Sequence, residues 1–497
     1  MKLLDRIKTM FKIGGAQMGV VSSLNSVLDH PKINVSPGEY DRIKKDLIYF
    51  RGEYPDVRYN NTSRQSKSRP FQPLNVAKVV VQQQASILFN EKATFAIEGN
   101  DNADKFAHDV LDANDFNKSF ERYLESMLAL GGLAMRPYVS GDEIKIAYVQ
   151  APVFFPLRSN TNDVSEAAIA TRTTQVEKGH NAYYTLLEFH YWDDKGLYHI
   201  DNELYRSDEA NVTGVQVPLT NLYDDLEPSV TLAGLTRPMF IYLKPFGFNN
   251  KDITSPLGLS IYDNARPTLD QINTAYDQFF WELKMGQRRV AVPEGMISVR
   301  VSEGGERQET FEPDQNVFIG MGAGIDEMKV TDLTTPIRAD DYITSINQFL
   351  KTLEMQVGLS VGTLSFDGQG LKTATEVVSE NSMTYRTRNS HLNNVERAVQ
   401  ELIVTILELG KVFGLYEGDL PTLDDVRVSF DDGVFLDKTS ELAYWSQAAA
   451  GGLVSKRYAM KKLYRDLSDE ELDTMIAEIN QEQQPPLSNV DTGMFGN

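Results

Sequence analysis

Apolar residues recur at helical spacing in the first and last parts of this chain, and at every second position in a block between them. Near the start, Ile43, Leu47 and Phe50 keep helical spacing within SPGEYDRIKKDLIYFRGEYPDVRY, and Gly52 and Pro55 end the run. The polar segment Asn60 to Arg69 reads as an exposed loop. A helix is predicted in LNVAKVVVQQQASILFNEK, where Val76, Val79 or Val80, Gln83 and Ile87 leave one mostly apolar face and Asn75 is placed to cap. A further helix is predicted from about Ala103 to Ala129, stopped by Gly131 and Gly132. From Leu133 the period falls to two. LAMRPYV, DEIKIAYVQ, PVFFPL, AAIATRTTQ, YYTLLEFHYW, LYHIDNELYR and VQVPL alternate like antiparallel strands, and MFIYLKPFGF closes the region.

Helical spacing returns after residue 258. In PTLDQINTAYDQFFWELKMGQRR, Pro267 suits a first helical turn. Leu269, Ile272, Tyr276, Phe279 or Phe280, and Leu283 form a stripe. Between Val290 and Pro336 the chain reads as short strands and turns. A second helix follows, with Ile343, Ile346, Leu350, Leu353 and Val357 on one stripe and Asp340 and Asp341 at the end a helix dipole favours for acids. Gly358 to Glu376, GLSVGTLSFDGQGLKTATE, then separates this helix from a much longer one, which runs to about Leu409 and opens on the capping-box pattern Thr373 to Glu376. That length predicts a kink. A loop of this size between two strong helices is longer than a helical hairpin needs, and long loops inside compact domains tend to be functional. Leu364 and Phe366 look exposed on it. VRVSFDDGVFLD reads as a strand and turn, two stretches near the C-terminus as a small all-α unit, and the tail PPLSNVDTGMFGN as disordered. The fold class is α+β, and 497 residues exceed one core, so several domains are expected.

Charge and composition narrow the chemistry. The net charge is −21, the reverse of the basic surface that grips nucleic acid. Either DNA is irrelevant, or it passes a negative wall whose repulsion decays over roughly 8 Å at physiological salt. The absence of cysteine removes thiolate catalysis, disulfides and cysteine metal sites, and fits a reducing compartment. No apolar run is long enough to span a bilayer, and Asp5, Lys8 and Lys12 interrupt any signal-peptide core, so the N-terminus reads as a short amphipathic arm.

Catalytic motifs are weak. IGMGAG at Ile319 to Gly324 lacks the Gly-Lys-Ser/Thr ending of a phosphate loop. His190 to Asp194 (HYWDD) has no obvious second histidine, and the pairs Asp424-Asp425 and Asp431-Asp432 around VRVSF read first as solvated strand ends. They leave a carboxylate-bound metal hydrolase as the rival reading. His391 reads as a surface or interface side chain. No cofactor and no resident metal are expected.

The residues that carry a likeness to a known family are YFRGEYP (Tyr49 to Pro55), LNVAKVVVQQQASILFNEKATF (Leu74 to Phe95), GGLAMRPY (Gly131 to Tyr138), the helix–β–helix–loop–helix succession from Pro267 to Gly414, and GLKTATEV (Gly370 to Val377). In this order they resemble the portal proteins of tailed bacteriophages, particularly of phages of Gram-positive hosts. The resemblance implies a wing at 1–262 and 372–435, two stem helices at 263–287 and 338–357, a clip at 288–337, a tunnel loop at 358–371, and a helical crown at 436–482 followed by the tail 483–497. It implies a non-enzymatic dodecameric ring at one capsid vertex of the virion, assembled in the host cytoplasm with major capsid and scaffolding proteins and without a membrane. The large subunit of terminase docks during packaging, head-completion or adaptor proteins replace it, and double-stranded DNA passes through the channel without specific bonds. A minor capsid protein without a channel is the other rival. On that map Val361, Thr363, Leu364, Ser365, Phe366, Gln369 and Lys372 face the channel. Lys284, Arg288 and Arg289 either meet phosphates or serve as helix-end and intersubunit charges. Glu303, Glu306, Glu309 and Glu312 lie on a docking rim.

Overall fold

The computed structural model describes residues 23–60, 65–89, 93–160, 163–286, 290–293, 300–301, 307–308, 318–321, 331–332, 336–365, 382–430, 438–464 and 469–482. The chain divides into two units, Met1–Gly368 with Met383–Asp431, and Gln369–Ser382 with Asp432–Asn497.

In the first unit, α1 (Pro37–Arg51) starts on proline and stops at Gly52, whose φ of +69° is left-handed. Helix α2 (Val76–Leu88) buries Val80, Val81 and Leu88. Asn75 stands at its N-cap but makes no capping bond. The single helix expected over 103–129 is two, α3 (Asp101–Ala113) and α4 (Phe116–Leu130), broken where Asp115 takes φ +46°. The cause is tertiary. The Asn114 side chain donates to the Val110 and Ile144 carbonyls at 2.7 and 2.9 Å and accepts from the Ile146 N–H at 2.9 Å. Those bonds to a neighbouring strand fix the chain where helix would otherwise continue. Phe89, Phe116 and Phe120 pack around the break, with ring centroids 4.9–6.3 Å apart.

The alternating block forms two antiparallel sheets. In the larger, His180–Trp192 pairs with Val164–Glu177 on one side and Tyr198–Ser207 on the other, in registers Ala170 to Leu187 and Leu204 to Leu186. Phe154–Ser159 lies beyond the first, Gly214–Val217 and then Ser23–Leu24 beyond the second. The smaller sheet orders Ile241–Leu243, Leu133–Ser140 and Glu143–Gln150. Residues 60–69, expected as a loop, contribute to a hairpin of Val57–Asn60 with Ser66–Arg69. It lacks an apolar alternation and is held from outside. Arg69 makes a bidentate pair with Asp277 at 2.6 Å and lies over Trp281, which also meets Tyr59.

Those anchors sit on α5 (Arg266–Met285), which runs antiparallel to α6 (Ala339–Val357). Phe279 stacks on Tyr342 at 5.2 Å, and Arg338 pairs with Glu282 at 2.6 Å. At the mouth of the pair, a Cβ added to Gly286 would lie 3.1 Å from Ile337 Cγ1. The described backbone between them includes Val290–Pro293, paired in parallel with Phe318–Met321 and antiparallel with Thr331–Asp332. The α5 stripe changes character along its length. Leu269 and Ile272 are buried, but Tyr276, Phe280 and Leu283 are 37%, 45% and 44% exposed. On α6, Ile346, Leu350, Leu353 and Val357 are buried and Ile343, nearer the mouth, is exposed.

Helix α7 (Ser382–Val412) is buried on all sides from Leu402 to Gly410. Its Glu408 accepts the Thr236 N–H at 3.0 Å and the Thr236 hydroxyl. Val426–Ser429 then pairs with Thr94–Ile97.

The second unit holds α8 (Lys438–Ala450), α9 (Lys456–Leu463) and α10 (Asp469–Glu482). Ser455 caps α9 by accepting the Tyr458 N–H at 3.1 Å, Trp445 meets Tyr458 edge-on, and Arg457 binds Asp473.

Candidate functional site

The segment leaving α6 is tethered by several hydrogen bonds to α6 and α7. Gly358 ends the helix at φ +76°, and a Cβ there would collide with the Thr387 hydroxyl, so both conformation and space require glycine. Ser360 then bonds α7 three times, one bond running from the Thr384 hydroxyl to Ser360 Oγ at 3.1 Å. Its N–H donates to Thr384 Oγ1 at 2.8 Å, and the Thr384 N–H donates to Ser360 Oγ at 3.2 Å. Thr363 donates its hydroxyl to the Ser360 carbonyl at 2.6 Å.

The chain then folds back onto a fully buried carboxylate. Glu354 accepts N–H bonds from Gly362 at 3.0 Å, from Leu364, and from Ser365 at 2.8 Å, and it takes the Ser365 hydroxyl at 3.3 Å. The four donors supply the polar surroundings without which a buried charge is costly. Around this knot, Gln84 donates to the Val357 carbonyl and Arg388 to the Ile87 carbonyl, each at 2.6 Å, which ties α2, α6 and α7 together.

The sequence-predicted channel residues fall on both sides of this arrangement. Val361 and Thr363 are exposed. Leu364, expected exposed, is half-buried against the core, and Ser365 is buried, because Glu354 draws their backbone inward. Phe366, Gln369 and Lys372 lie outside the described residues, as do Arg288, Arg289, Glu303, Glu306, Glu309, Glu312 and the capping-box segment Thr373 to Glu376. Lys284 is exposed, its ammonium 5.6 Å from the Trp281 ring centre. Sequence reasoning missed Glu354. Its signal was a lone acid between Leu353 and Val357, inside the buried stripe.

Of the residues behind the metal-hydrolase reading, Asp425, His190 and Asp193 are engaged in local structure. Asp425 accepts the Thr422 N–H and hydroxyl, both at 2.8 Å, in a capping box. Asp431 and Asp432 lie outside the described residues. His190 is buried with Nδ1 3.1 Å from the Tyr198 hydroxyl, and desolvation pushes its pKa down to about 3. Asp193 accepts the N–H groups of Lys195 and Leu197 in a turn. Among the described residues no group of three or more His, Cys, Asp or Glu side chains is placed to hold a metal. His391, expected as a surface or interface side chain, is buried within the chain. Its Nδ1 accepts the Phe246 N–H at 3.0 Å, and burial lowers its pKa to about 4. The loop carrying Phe246 covers it, a contact that its polar neighbours on the helix did not announce.

The described residues thus define an α+β protein. The model of the family described as "Phage portal protein, SPP1 Gp6-like" matches residues 29–485, and the chain belongs to that portal protein family. The family is one of structural proteins of tailed phages. No curated protein sequence matches the chain. Among solved structures, a chain from "Neck of empty GTA particle computed with C6 symmetry" is similar at 12% identity and a TM-score of 0.40, covering 78% of this chain and 88% of that one.

Proposed function

We propose that this portal protein works as the subunit of a ring whose bore carries the phage genome. The ring sits at one capsid vertex, docks the large terminase subunit during packaging and head-completion or adaptor proteins afterwards, and passes duplex DNA without specific bonds. On this reading α5 and α6 are the stem, the strands between them belong to the clip, and the segment after Gly358 is the root of the tunnel loop. Residues 1–262 with 372–435 are the wing, and the helices within 436–482 the crown. Twelve copies, assembled in the host cytoplasm with major capsid and scaffolding proteins, are the proposed number.

One observation carries the ring. The α5 stripe that is buried at Leu269 and Ile272 continues, in the same helical register, through the exposed Tyr276, Phe280 and Leu283. A stripe that loses its cover partway along a helix is a packing surface lacking its partner. Full burial of such side chains is worth about 1.5–3 kcal/mol each, so covering their exposed halves yields roughly 1 kcal/mol apiece at every interface. Copies related by rotation supply that cover repeatedly, and a heterologous contact closes into a ring. The charge of −21 suits passage of DNA rather than grip.

Negative-stain imaging and mass photometry of the purified chain test this. The expected particle is a ring with a central hole and a mass many times 55.9 kDa. A folded chain that stays monomeric, alone and with capsid components, overturns it.

A further inference from the structure

From Leu442 to Arg465 the sequence holds five bases, Lys456, Arg457, Lys461, Lys462 and Arg465, and no acid, in a chain where 70 acids outnumber 49 bases. Four of the five lie on α9. That helix buries Ala459, half-buries Met460 and Leu463, and exposes Lys456, Arg457, Tyr458, Lys461 and Lys462, with Tyr464 exposed just beyond its end. Its seat in the second unit is fixed from both neighbours. Trp445 of α8 meets Tyr458 edge-on at 5.9 Å, and Arg457 donates to both oxygens of Asp473 on α10 at 2.6 and 3.1 Å. The Lys462 ammonium lies 5.5 Å from the Tyr458 ring centre. Tyr458 and Tyr464, 48% and 46% exposed, are thus interleaved with the bases.

We propose that α9 is a site where the second unit meets duplex DNA through its phosphates. Bases clustered along one helix are the electrostatic footprint of a nucleic-acid contact, and lysine, arginine and tyrosine hydroxyl groups are all phosphate donors. At 1.5 Å per residue, Lys456 to Lys462 spans about 9 Å, which matches about three phosphates of one strand at 3.4 Å spacing. Such contacts carry no sequence information, as a duplex in transit requires. A lipid surface is the poorer fit, because the apolar residues Ala459, Met460 and Leu463 lie on the covered side of the helix and leave no apolar face to insert. The inference rests on the reading that a duplex passes the ring, and adds residues that hold it within a chain whose overall charge repels it.

Fluorescence anisotropy of the full chain with a labelled duplex of about 30 base pairs tests this. Wild type is expected to bind two duplexes of unrelated sequence equally, with affinity falling by about fortyfold or more between 50 and 200 mM salt, as release of about three counterions dictates. Lys461→Gln with Lys462→Gln should flatten the salt dependence by about two units of slope and weaken binding at least about tenfold at 50 mM salt, with unchanged circular dichroism. Lys44→Gln with Lys45→Gln removes the same charge from exposed positions on α1 and should leave binding unchanged. No binding by wild type at 50 mM salt, or equal loss in the two double variants, overturns the site. Displacement of the duplex by poly-glutamate at equal charge concentration also overturns it, and makes α9 a dock for an acidic protein. Mass photometry of the same samples separates the two readings. Rings with no α9-dependent binding leave the ring standing without this contact, and α9-dependent binding by a chain that forms no ring does the reverse.

Discussion

Replacing Glu354 should release the loop root without unfolding the unit. The carboxylate is fully buried and takes four donors, three of them backbone N–H groups. In Glu354→Gln one oxygen becomes an NH2 group. If that group replaces Oε2, it faces the Gly362 N–H, while the Ser365 hydroxyl can turn to accept. One backbone donor loses its acceptor, at about 1–3 kcal/mol, and the bonds that remain lose their charge assistance. In Glu354→Ala all four donors lose their acceptor. The loop then opens to water rather than leave them unpaired, because its detachment costs less than three buried orphan N–H groups. Hydrogen exchange reads this directly. The amides of Gly362, Leu364 and Ser365 should exchange about tenfold faster in Glu354→Gln, since ~1.4 kcal/mol is a factor of ten, and near the rate of free chain in Glu354→Ala. Amides in α4 should not change. Unaltered protection at the three amides in Glu354→Ala would show that packing of Leu364, and not the carboxylate, holds the loop.

Three further outcomes follow from other sites. Asp46 is buried beside Asp263, and desolvation first, then that neighbour, raise its pKa from 3.8 to about 7 against the pull of Arg266 and Arg42. The folded state therefore keeps a proton that the unfolded chain has lost, so stability falls as pH rises from about 4 to 7, by up to ~1.4 kcal/mol per unit, and is flat above. Asp46→Asn should remove that component, so its denaturation midpoints relative to wild type improve from pH 5 to pH 8; parallel profiles would refute the assignment. Arg69→Met strands Asp277, which is held below the usual carboxylate range by that guanidinium, and should cost about 3 kcal/mol in thermal or urea melts. Phe280→Asp with Leu283→Asp places charge on the uncovered part of the α5 stripe. The variant should melt within a few degrees of wild type yet remain monomeric by mass photometry, and normal rings would count against the stripe as an interface.

Much of the fold was legible because burial follows period. The seven alternating runs from Leu133 to Leu219 all became strands, although His180–Trp192 is buried on both faces from Tyr184 to His190, one face meeting the main core and the other a small cluster with Leu204 and Leu219. The stripes on α5 and α6 were readable for the same reason. The errors lie where long-range polar bonds override local pattern. Asn114 breaks a helix by bonding a strand 30 residues away. The hairpin at 57–69 has a polar sequence because Arg69 and Tyr59 fix it from one side. The site shows the same division. Glycine content and helix ends revealed the loop, but Glu354 and the Ser360–Thr384 exchange depend on which residues meet in three dimensions. A carboxylate inside an apolar stripe was the one visible sign.

The adjacency of Gly286 and Ile337 makes the segment between them a cassette. Its entry and exit lie side by side, buttressed by Arg338 on Glu282, so the supporting helices need no change in length or pitch when its contents vary. Insertions or deletions there are expected to cost the remainder little, as for any excursion whose ends already touch. A change confined to that segment is therefore expected to leave the two helices that bear it unaltered.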